Sequence, residues 1–191
     1  MRYPKFINYM ILAAALGSLQ GCFPIFAAGV GSGVLLASDR RTTGTYIEDE
    51  GIEDKAVYQI SLKYKDTAHV NVTSFNRHAL VTGEAPNEEA KADIAKIVAS
   101  VANVKAVSNE MAISGQTGLT SRSSDSIITG DVKLRFINNK VFQPDHVKVI
   151  TENGVVFLMG LVYHKEADAA TEIASTTNGV QRVVKVFEYL D

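Results

Sequence analysis

The hydrophobic and polar positions of this 191-residue chain follow either the spacing of a helix or the alternation of a strand. The same succession of these two patterns occurs twice after residue 45. Apolar residues at helical spacing predict a helix at the start of each copy, and two short alternating stretches then predict a hairpin of strands. A second helix and a closing strand complete each copy. In the first copy these elements are expected at about 52–65, 69–75, 77–83, 87–101 and 104–113, and in the second at about 125–140, 146–152, 154–160, 164–176 and 180–189. The predicted order of elements is therefore αββαβ in each copy.

A shift of 77 positions relates the two copies. It places His69 over His146 and Gly83 over Gly160, each within a matching apolar stretch. A hairpin followed by a helical crossover builds a mixed sheet of three strands with two helices on one face. The sequence therefore predicts an α+β fold with two tandem sandwiches at residues 45–114 and 124–191, joined by a polar linker at 115–123.

The two predicted hairpins differ in their turn chemistry. Asn153-Gly154 is the strongest short hairpin signal, whereas Asn76-Arg77 places an arginine where glycine adopts the turn more easily. Gly83 and Gly160 stand at matching ends of the second hairpin strand, where a glycine indicates the close approach of a neighbouring backbone. Both glycines are predicted to be structural and to have no ligand role.

The first helix of the second copy carries two apolar stripes. One stripe aligns with apolar residues of the first copy under the 77-residue shift, and this shared face is predicted to be the core. The other is apolar only in the second copy, which predicts a contact outside that copy. The shared face comprises Leu134, Ile137 and Val141 opposite Val57, Ile60 and Tyr64. The unshared stripe comprises Ile128, Val132 and Phe136 opposite Gly51, Lys55 and Gln59.

Cations accompany the unshared stripe. Lys133 and Arg135 lie on the same helix, which has a net charge of +1, whereas the first copy enters its helix through the acidic residues 48–50. An apolar strip flanked by cations suits insertion at a bilayer of anionic lipid, and the acidic copy would be repelled. Two alternatives remain open: the stripe packs against the first copy or the linker, or it grips another envelope protein.

The first 21 residues have the pattern of an export signal. Two basic residues precede a mostly apolar run at 6–19, a length typical of a signal-peptide core and short for a spanning helix. The run ends in Leu-Gln-Gly-Cys22, which resembles a lipobox and predicts cleavage before Cys22 and lipidation of that cysteine. Phe23 stands where a retention signal would place aspartate, so the resemblance to sorted lipoproteins implies the outer membrane, with the protein facing the periplasm.

Residues 22–44 are predicted to form the lipidated N-terminus and a tether. The segment is apolar but contains three closely spaced glycines at 29–33. Two interpretations compete, namely a second hydrophobic helix lying against the membrane and a flexible spacer that lets the folded part move away from it. The glycines favour the spacer.

Composition narrows the classes of function. The net charge is −2, and with the 17 basic and 21 acidic residues that remain after signal removal it becomes −4, which argues against a nucleic-acid surface. Cys22 is the single cysteine and the four histidines are scattered, so no internal disulfide, metal site or cofactor is predicted. The sequence contains no nucleophile motif, which predicts a binding protein and not an enzyme.

The paired copies resemble the BON domain, which is found in bacterial periplasmic and membrane-associated proteins. The shared features are an apolar strand ending in Gly83 or Gly160 and an acidic-Ala helix start at Glu89 or Glu166, within about 45–190. With the lipobox in front and the apolar run at 149–162, the chain is similar to dual-BON outer-membrane lipoproteins. This resemblance implies association with phospholipid through the second domain, support of outer-membrane integrity, and no catalysis. The candidate lipid-binding residues are Ile128, Val132, Lys133, Arg135 and Phe136.

Overall fold

Two copies of one αββαβ unit follow each other in the computed structural model, which describes residues 39–114 and 119–191, with side chains of the second segment from residue 122. The first domain consists of α1 (Thr43–Tyr64), β1 (His69–Phe75), β2 (His78–Ala85), α2 (Glu88–Ser100), β3 (Ala106–Asn109) and β4 (Ala112–Ile113). The second consists of α3 (Leu119–Ile137), a 3-10 turn (Pro144–His146), β5 (Val147–Glu152), β6 (Val155–Val162), α4 (His164–Ser175) and β7 (Arg182–Tyr189).

Each sheet is mixed, as the order of elements predicts. The hairpin strands pair antiparallel, β1 with β2 and β5 with β6. The closing strand returns parallel to the second hairpin strand, because a helical crossover separates them. In the first domain this closing strand is divided into β3 and β4, both of which pair with β2. The predicted α+β fold of two tandem domains is confirmed.

Both hairpins turn through residues in the left-handed conformation, and a buried aspartate of the preceding helix binds each turn. Asn76 and Arg77 have φ of 52° and 66°, and Asn153 and Gly154 have φ of 51° and 73°. The Asp49 carboxylate of α1 accepts from the backbone N–H groups of Asn76 and Arg77 at 2.9 and 2.7 Å. In the second domain the Asp125 carboxylate of α3 accepts from both turn N–H groups at 2.8 Å. These hydrogen bonds offset the strain of Arg77 and fix how each helix lies on its sheet.

The buried faces of α1 and α3 are related by a shift of 76 residues, and not by the 77 that relates the hairpins. The equivalent aspartates, Asp49 and Asp125, show this offset directly. The core residues that follow them keep it: Ile52, Ala56 and Ile60 in α1 correspond to Ile128, Val132 and Phe136 in α3. The assignment of Leu134, Ile137 and Val141 to the core was therefore wrong, because one residue rotates a helix by about 100°.

Gly83 and Gly160 lie where the backbone at the start of the first hairpin strand, or just before it, approaches closely. A Cβ atom at Gly83 would overlap the carbonyl oxygen of His69, and one at Gly160 would overlap that of His146. Gly83 also has φ of +109°, a conformation that side chains rarely adopt. This geometry agrees with a structural role for both glycines.

Two helix starts differ from the sequence prediction. The helix α1 begins at Thr43, where Thr42 accepts from the backbone N–H of Thr45 at 3.1 Å. The helix α3 begins at Leu119, inside the predicted polar linker. Hydroxyl-rich segments favour caps and loops in isolation, so only the packing of the following residues reveals that these helices extend further.

The described structure includes residues 39–44, which the sequence assigned to the tether. The Arg41 guanidinium is buried, donates to Asp39 and to Asp49 at 2.7 and 2.8 Å, and lies 3.9 Å from the centre of the Phe75 ring. Arg41 thus holds this segment to the first domain, and residues 39–44 are not the flexible tether that the sequence predicts for them. Cys22, the signal segment and the rest of the tether lie outside the described residues.

The two domains share a core formed by the sheet faces that the helices do not cover. Phe75 and Leu80 of the first domain meet Phe157 and Met159 of the second. The helix-covered faces form separate cores, one per domain. As a result β6 is buried on both faces, which explains its unbroken apolar sequence. Among the described residues, no helix is long and apolar enough to cross a membrane.

Candidate functional site

The helix α3 has two apolar faces on nearly opposite sides. The inner face is in the core, where Val132 is 0% and Phe136 1% exposed. Phe136 packs edge-on against Phe142 with ring centroids 5.0 Å apart. The outer face is exposed to solvent and consists of Ile127, Leu134 and Ile137, with Val141 just beyond the helix, at 66%, 60%, 65% and 43% exposure. We call these four residues the outer apolar face.

The structure therefore reverses the two stripes predicted from the sequence. Ile128, Val132 and Phe136 were expected to lie outside the domain, but all three are buried. The prediction that these three residues contact lipid is therefore wrong, because buried side chains cannot reach a bilayer while the domain is folded. A second, outward apolar stripe is present on this helix, and three of its four residues, Leu134, Ile137 and Val141, are those that the sequence assigned to the core.

The two predicted cations have different environments. Lys133 is exposed beside the outer apolar face, as is Lys140. The Arg135 guanidinium instead reaches the end of α4, where it donates to the carbonyl oxygen of Ile173 at 2.7 Å and to the hydroxyl of Thr177 at 2.6 Å. Carbonyls at a helix C-terminus lack internal partners, so this contact holds α3 against α4. Arg135 has a structural role here, and Lys133 remains the candidate for lipid phosphate.

The first domain does not repeat the outer apolar face. With the 76-residue offset, the positions that match Ile127, Leu134 and Ile137 hold Gly51, Tyr58 and Ser61. Asp54 lies among them, where the second domain has Gly130. Tyr58 is 65% exposed, close to the 60% of Leu134, so the matched positions differ in chemistry and not in accessibility. The first domain also exposes apolar side chains on α1, Ile47 at 59% and Leu62 at 70%, but at positions that do not match the outer apolar face.

Arg40, near the N-terminal end of the described residues, is bound to the second domain. The Arg40 guanidinium pairs with both carboxylate oxygens of Glu166 at 2.6 and 2.8 Å, and donates to the carbonyl oxygen of Leu161 at 2.7 Å. Burial acts to raise the pKa of Glu166, but the hydrogen bonds from Arg40 and from the Tyr163 N–H outweigh it, so this pKa lies below its ordinary value. The N-terminal end of the described residues is therefore fixed beside the second domain.

Comparison with known proteins agrees with this architecture. The BON domain, as a family, matches residues 48–115 and 124–191. The chain belongs to the BON family. Its two BON domains correspond to the two sandwiches described above, and each match includes one of the aspartates that bind the hairpin turns.

Several relatives have similar lengths. The chain is 39% identical to the outer membrane lipoprotein DolP of Haemophilus influenzae over 95% of both chains. It is 36% identical to a 21 kDa hemolysin of Actinobacillus pleuropneumoniae over 80% of this chain and 79% of that one. It is 23% identical to the osmotically-inducible protein Y of Escherichia coli over 80% of this chain and 78% of that one. This BON protein is a lipoprotein of the outer membrane.

Proposed function

We propose that this protein binds anionic phospholipid through the outer apolar face of its second BON domain, on the periplasmic side of the outer membrane, and thereby supports the integrity of that membrane. The protein acts by binding and not by catalysis. The observation that carries the proposal is an exposed apolar face on α3, flanked by Lys133 and Lys140, that the first domain lacks at matched positions.

The expected strength of this contact is modest. Complete burial of a large apolar side chain contributes about 1.5–3 kcal/mol, and partial insertion of these four contributes a fraction of that for each. Each lysine near an anionic surface adds about 1 kcal/mol. A lipid anchor on the same chain would keep the face close to the bilayer, so a weak contact is sufficient for stable association. The binding of Arg40 to Glu166 supports this arrangement because it places the N-terminal end of the described residues beside the second domain.

Vesicle co-sedimentation tests the proposal on residues 23–191, which lack the acylated cysteine. Leu134→Glu places a carboxylate on the outer apolar face, and Tyr58→Glu places one at the matched, equally exposed position of the first domain. We expect Leu134→Glu to weaken binding to anionic vesicles by about tenfold or more, since it removes an insertion and adds a repelled charge. Tyr58→Glu should bind as the parent does, and both should keep the parent melting temperature.

The salt dependence separates the two components of binding. Raising the ionic strength should weaken the contact only in part, because the lysines are screened and the apolar insertion is not. If Leu134→Glu and Ile137→Glu bind anionic vesicles as well as the parent, the lipid surface lies elsewhere. The alternative function, an adaptor that uses the same face to bind an envelope protein, would then be favoured.

A further inference from the structure

The helix α1 of the first domain carries an exposed stripe on the side opposite its buried face. Ile52, Ala56 and Ile60 turn one side of the helix towards the core. The residues on the opposite side are spaced three or four positions apart, which brings them onto one face. We call this face the α1 stripe, and it comprises Ile47, Gly51, Asp54, Lys55, Tyr58 and Leu62. Its three large apolar side chains are each more than half exposed.

The middle of the α1 stripe combines open space with two charges. A Cβ atom at Gly51 would meet no atom within 4 Å, and the glycine lines an open depression of about 670 Å³. Asp54 and Lys55 are both exposed, and neither forms an ion pair with another residue in the described part of the chain. The stripe therefore offers a partner two apolar ends, a free space, an acid and a base.

An anionic bilayer does not suit this stripe. Asp54 lies in its middle, and the exposed Glu50 lies one turn before Asp54. Anionic lipid repels carboxylates, whereas it attracts the lysines beside the outer apolar face of α3. An exposed apolar surface of this kind indicates a protein partner instead.

The order of residues along the α1 stripe is complementary to itself when a second α1 runs in the opposite direction. With the centre of the pair between Asp54 and Lys55, the Asp54 carboxylate faces Lys55 of the second copy. Gly51 then faces Tyr58, whose ring fills the space above the glycine. Ile47 faces Leu62, so the two apolar ends meet. Each contact occurs twice, as a two-fold axis requires.

Other arrangements lose this complementarity. A parallel pair about a two-fold axis places Asp54 against Asp54 and Lys55 against Lys55, and an antiparallel pair displaced by one residue brings one of these like charges together. The second domain does not repeat the pattern, because the positions that match Asp54 and Lys55 hold Gly130 and Asp131. The matched face of α3 therefore lacks the cation that such a pair needs.

We propose that the α1 stripe is an interface between two copies of this chain, in which their α1 helices pack antiparallel about a two-fold axis. The stripe extends over about 24 Å of a helix about 10 Å wide, so it buries well below the roughly 800 Å² per partner of a stable interface. The dimer is therefore weak in dilute solution. Lipid anchors confine copies to one membrane surface and raise their local concentration, so the contact forms there.

Cysteine cross-linking of the mature lipoprotein in proteoliposomes tests the arrangement. The Ile47→Cys and Leu62→Cys variants, which carry tags of different mass, are reconstituted alone or together and then oxidised. In the antiparallel pair, equivalent positions of the two copies lie about 22 Å apart, beyond the about 7 Å that a disulfide spans. We expect the mixture to form a heterodimer at least about tenfold faster than either variant forms a homodimer. The parent, whose single cysteine is Cys22, should form none.

An exchange of charges in the same mixture tests the ion pair. Asp54→Lys and Lys55→Asp each place like charges opposite each other, so each should slow cross-linking by at least about fivefold. The double variant restores both ion pairs, and its rate should lie within about twofold of the parent mixture. Both residues are exposed, so the melting temperatures should stay close to that of the parent.

Leu134→Glu is the control that separates this contact from the lipid surface of α3. It should leave cross-linking unchanged while it weakens vesicle binding. Tyr58→Glu should slow cross-linking, yet it should bind vesicles as the parent does at sparse coverage, where the weak dimer does not form. Equal rates in the mixture and in either variant alone would indicate random collision on the membrane and overturn the interface. A double charge variant that cross-links as slowly as the single ones would also overturn it.

Discussion

The two faces of α3 predict opposite effects for substitutions two residues apart. Phe136→Ala removes a ring that is 1% exposed and packed edge-on against Phe142, whereas Leu134→Ala shortens a side chain that is 60% exposed. Both changes introduce alanine, the best helix former, and the propensities of the two replaced residues differ by only about a few tenths of a kcal/mol. The comparison therefore reports mainly burial.

The magnitudes follow from the burial. Truncation of a buried phenylalanine costs about 3–5 kcal/mol, since the transfer free energy is lost and a cavity remains. A surface substitution away from special features changes stability by about 0.5 kcal/mol or less. We expect the free energy of unfolding to fall at least about 2.5 kcal/mol further in Phe136→Ala than in Leu134→Ala.

Urea unfolding followed by circular dichroism measures this difference. With a slope of about 2 kcal/mol per molar urea, the midpoint of Phe136→Ala should lie more than about 1 M below that of Leu134→Ala. The spectra without urea serve as the control for intact folding. Equal midpoints would refute the 76-residue offset of the helices. A lower midpoint for Leu134→Ala would in addition restore the opposite assignment of the two faces.

Three further predictions concern other parts of the chain. Gly83→Val and Gly160→Val should each cost about 1–3 kcal/mol or more in thermal melts, because a Cβ would overlap a backbone carbonyl, and Gly130→Val, at a position with open space, should not. The lowered pKa of Glu166 means that the Arg40 pairing stabilises the fold above the ordinary glutamate pKa of about 4.3 and is lost as the pH falls below it. The difference in melting temperature between the parent and Arg40→Met should therefore be largest near pH 7 and shrink towards pH 3; a constant difference would contradict it. Radiolabelled palmitate should enter the protein and be lost in Cys22→Ala, and labelling of that variant would exclude lipidation at this cysteine.

Most of the fold could be predicted from the sequence because its signals are local. The turn residues Asn76-Arg77 and Asn153-Gly154 adopt the left-handed conformation that their chemistry indicates, even where arginine is a poor choice. The alternation of residues located each hairpin strand to within about two residues. Gly83 and Gly160 indicated the close backbone approach that the structure shows.

The candidate site could be predicted only in part, because an error of one residue in the repeat offset changes which side of a helix is assigned to the core. The sequence correctly indicated two apolar stripes on α3, but a repeat offset taken from the hairpins and carried into the helix was wrong by one residue. In a strand such an error exchanges the two faces, and in a helix it rotates the face by about 100°. The hydrogen bonds that the hairpin turn donates to Asp125 set the true register of the helix. They join residues that lie 28 and 29 positions apart in the sequence, so no local pattern reveals them.

By itself, the sequence determined the class of protein, the two αββαβ copies, their turns and their glycines, because each of these depends on the backbone preferences and side-chain period of a short segment. Tertiary structure decided which side of α3 faces solvent and which sheet faces meet between the domains. It also decided that the large apolar residues of the α1 stripe stay exposed. These depend on how separate segments pack against one another, and no short segment contains that information.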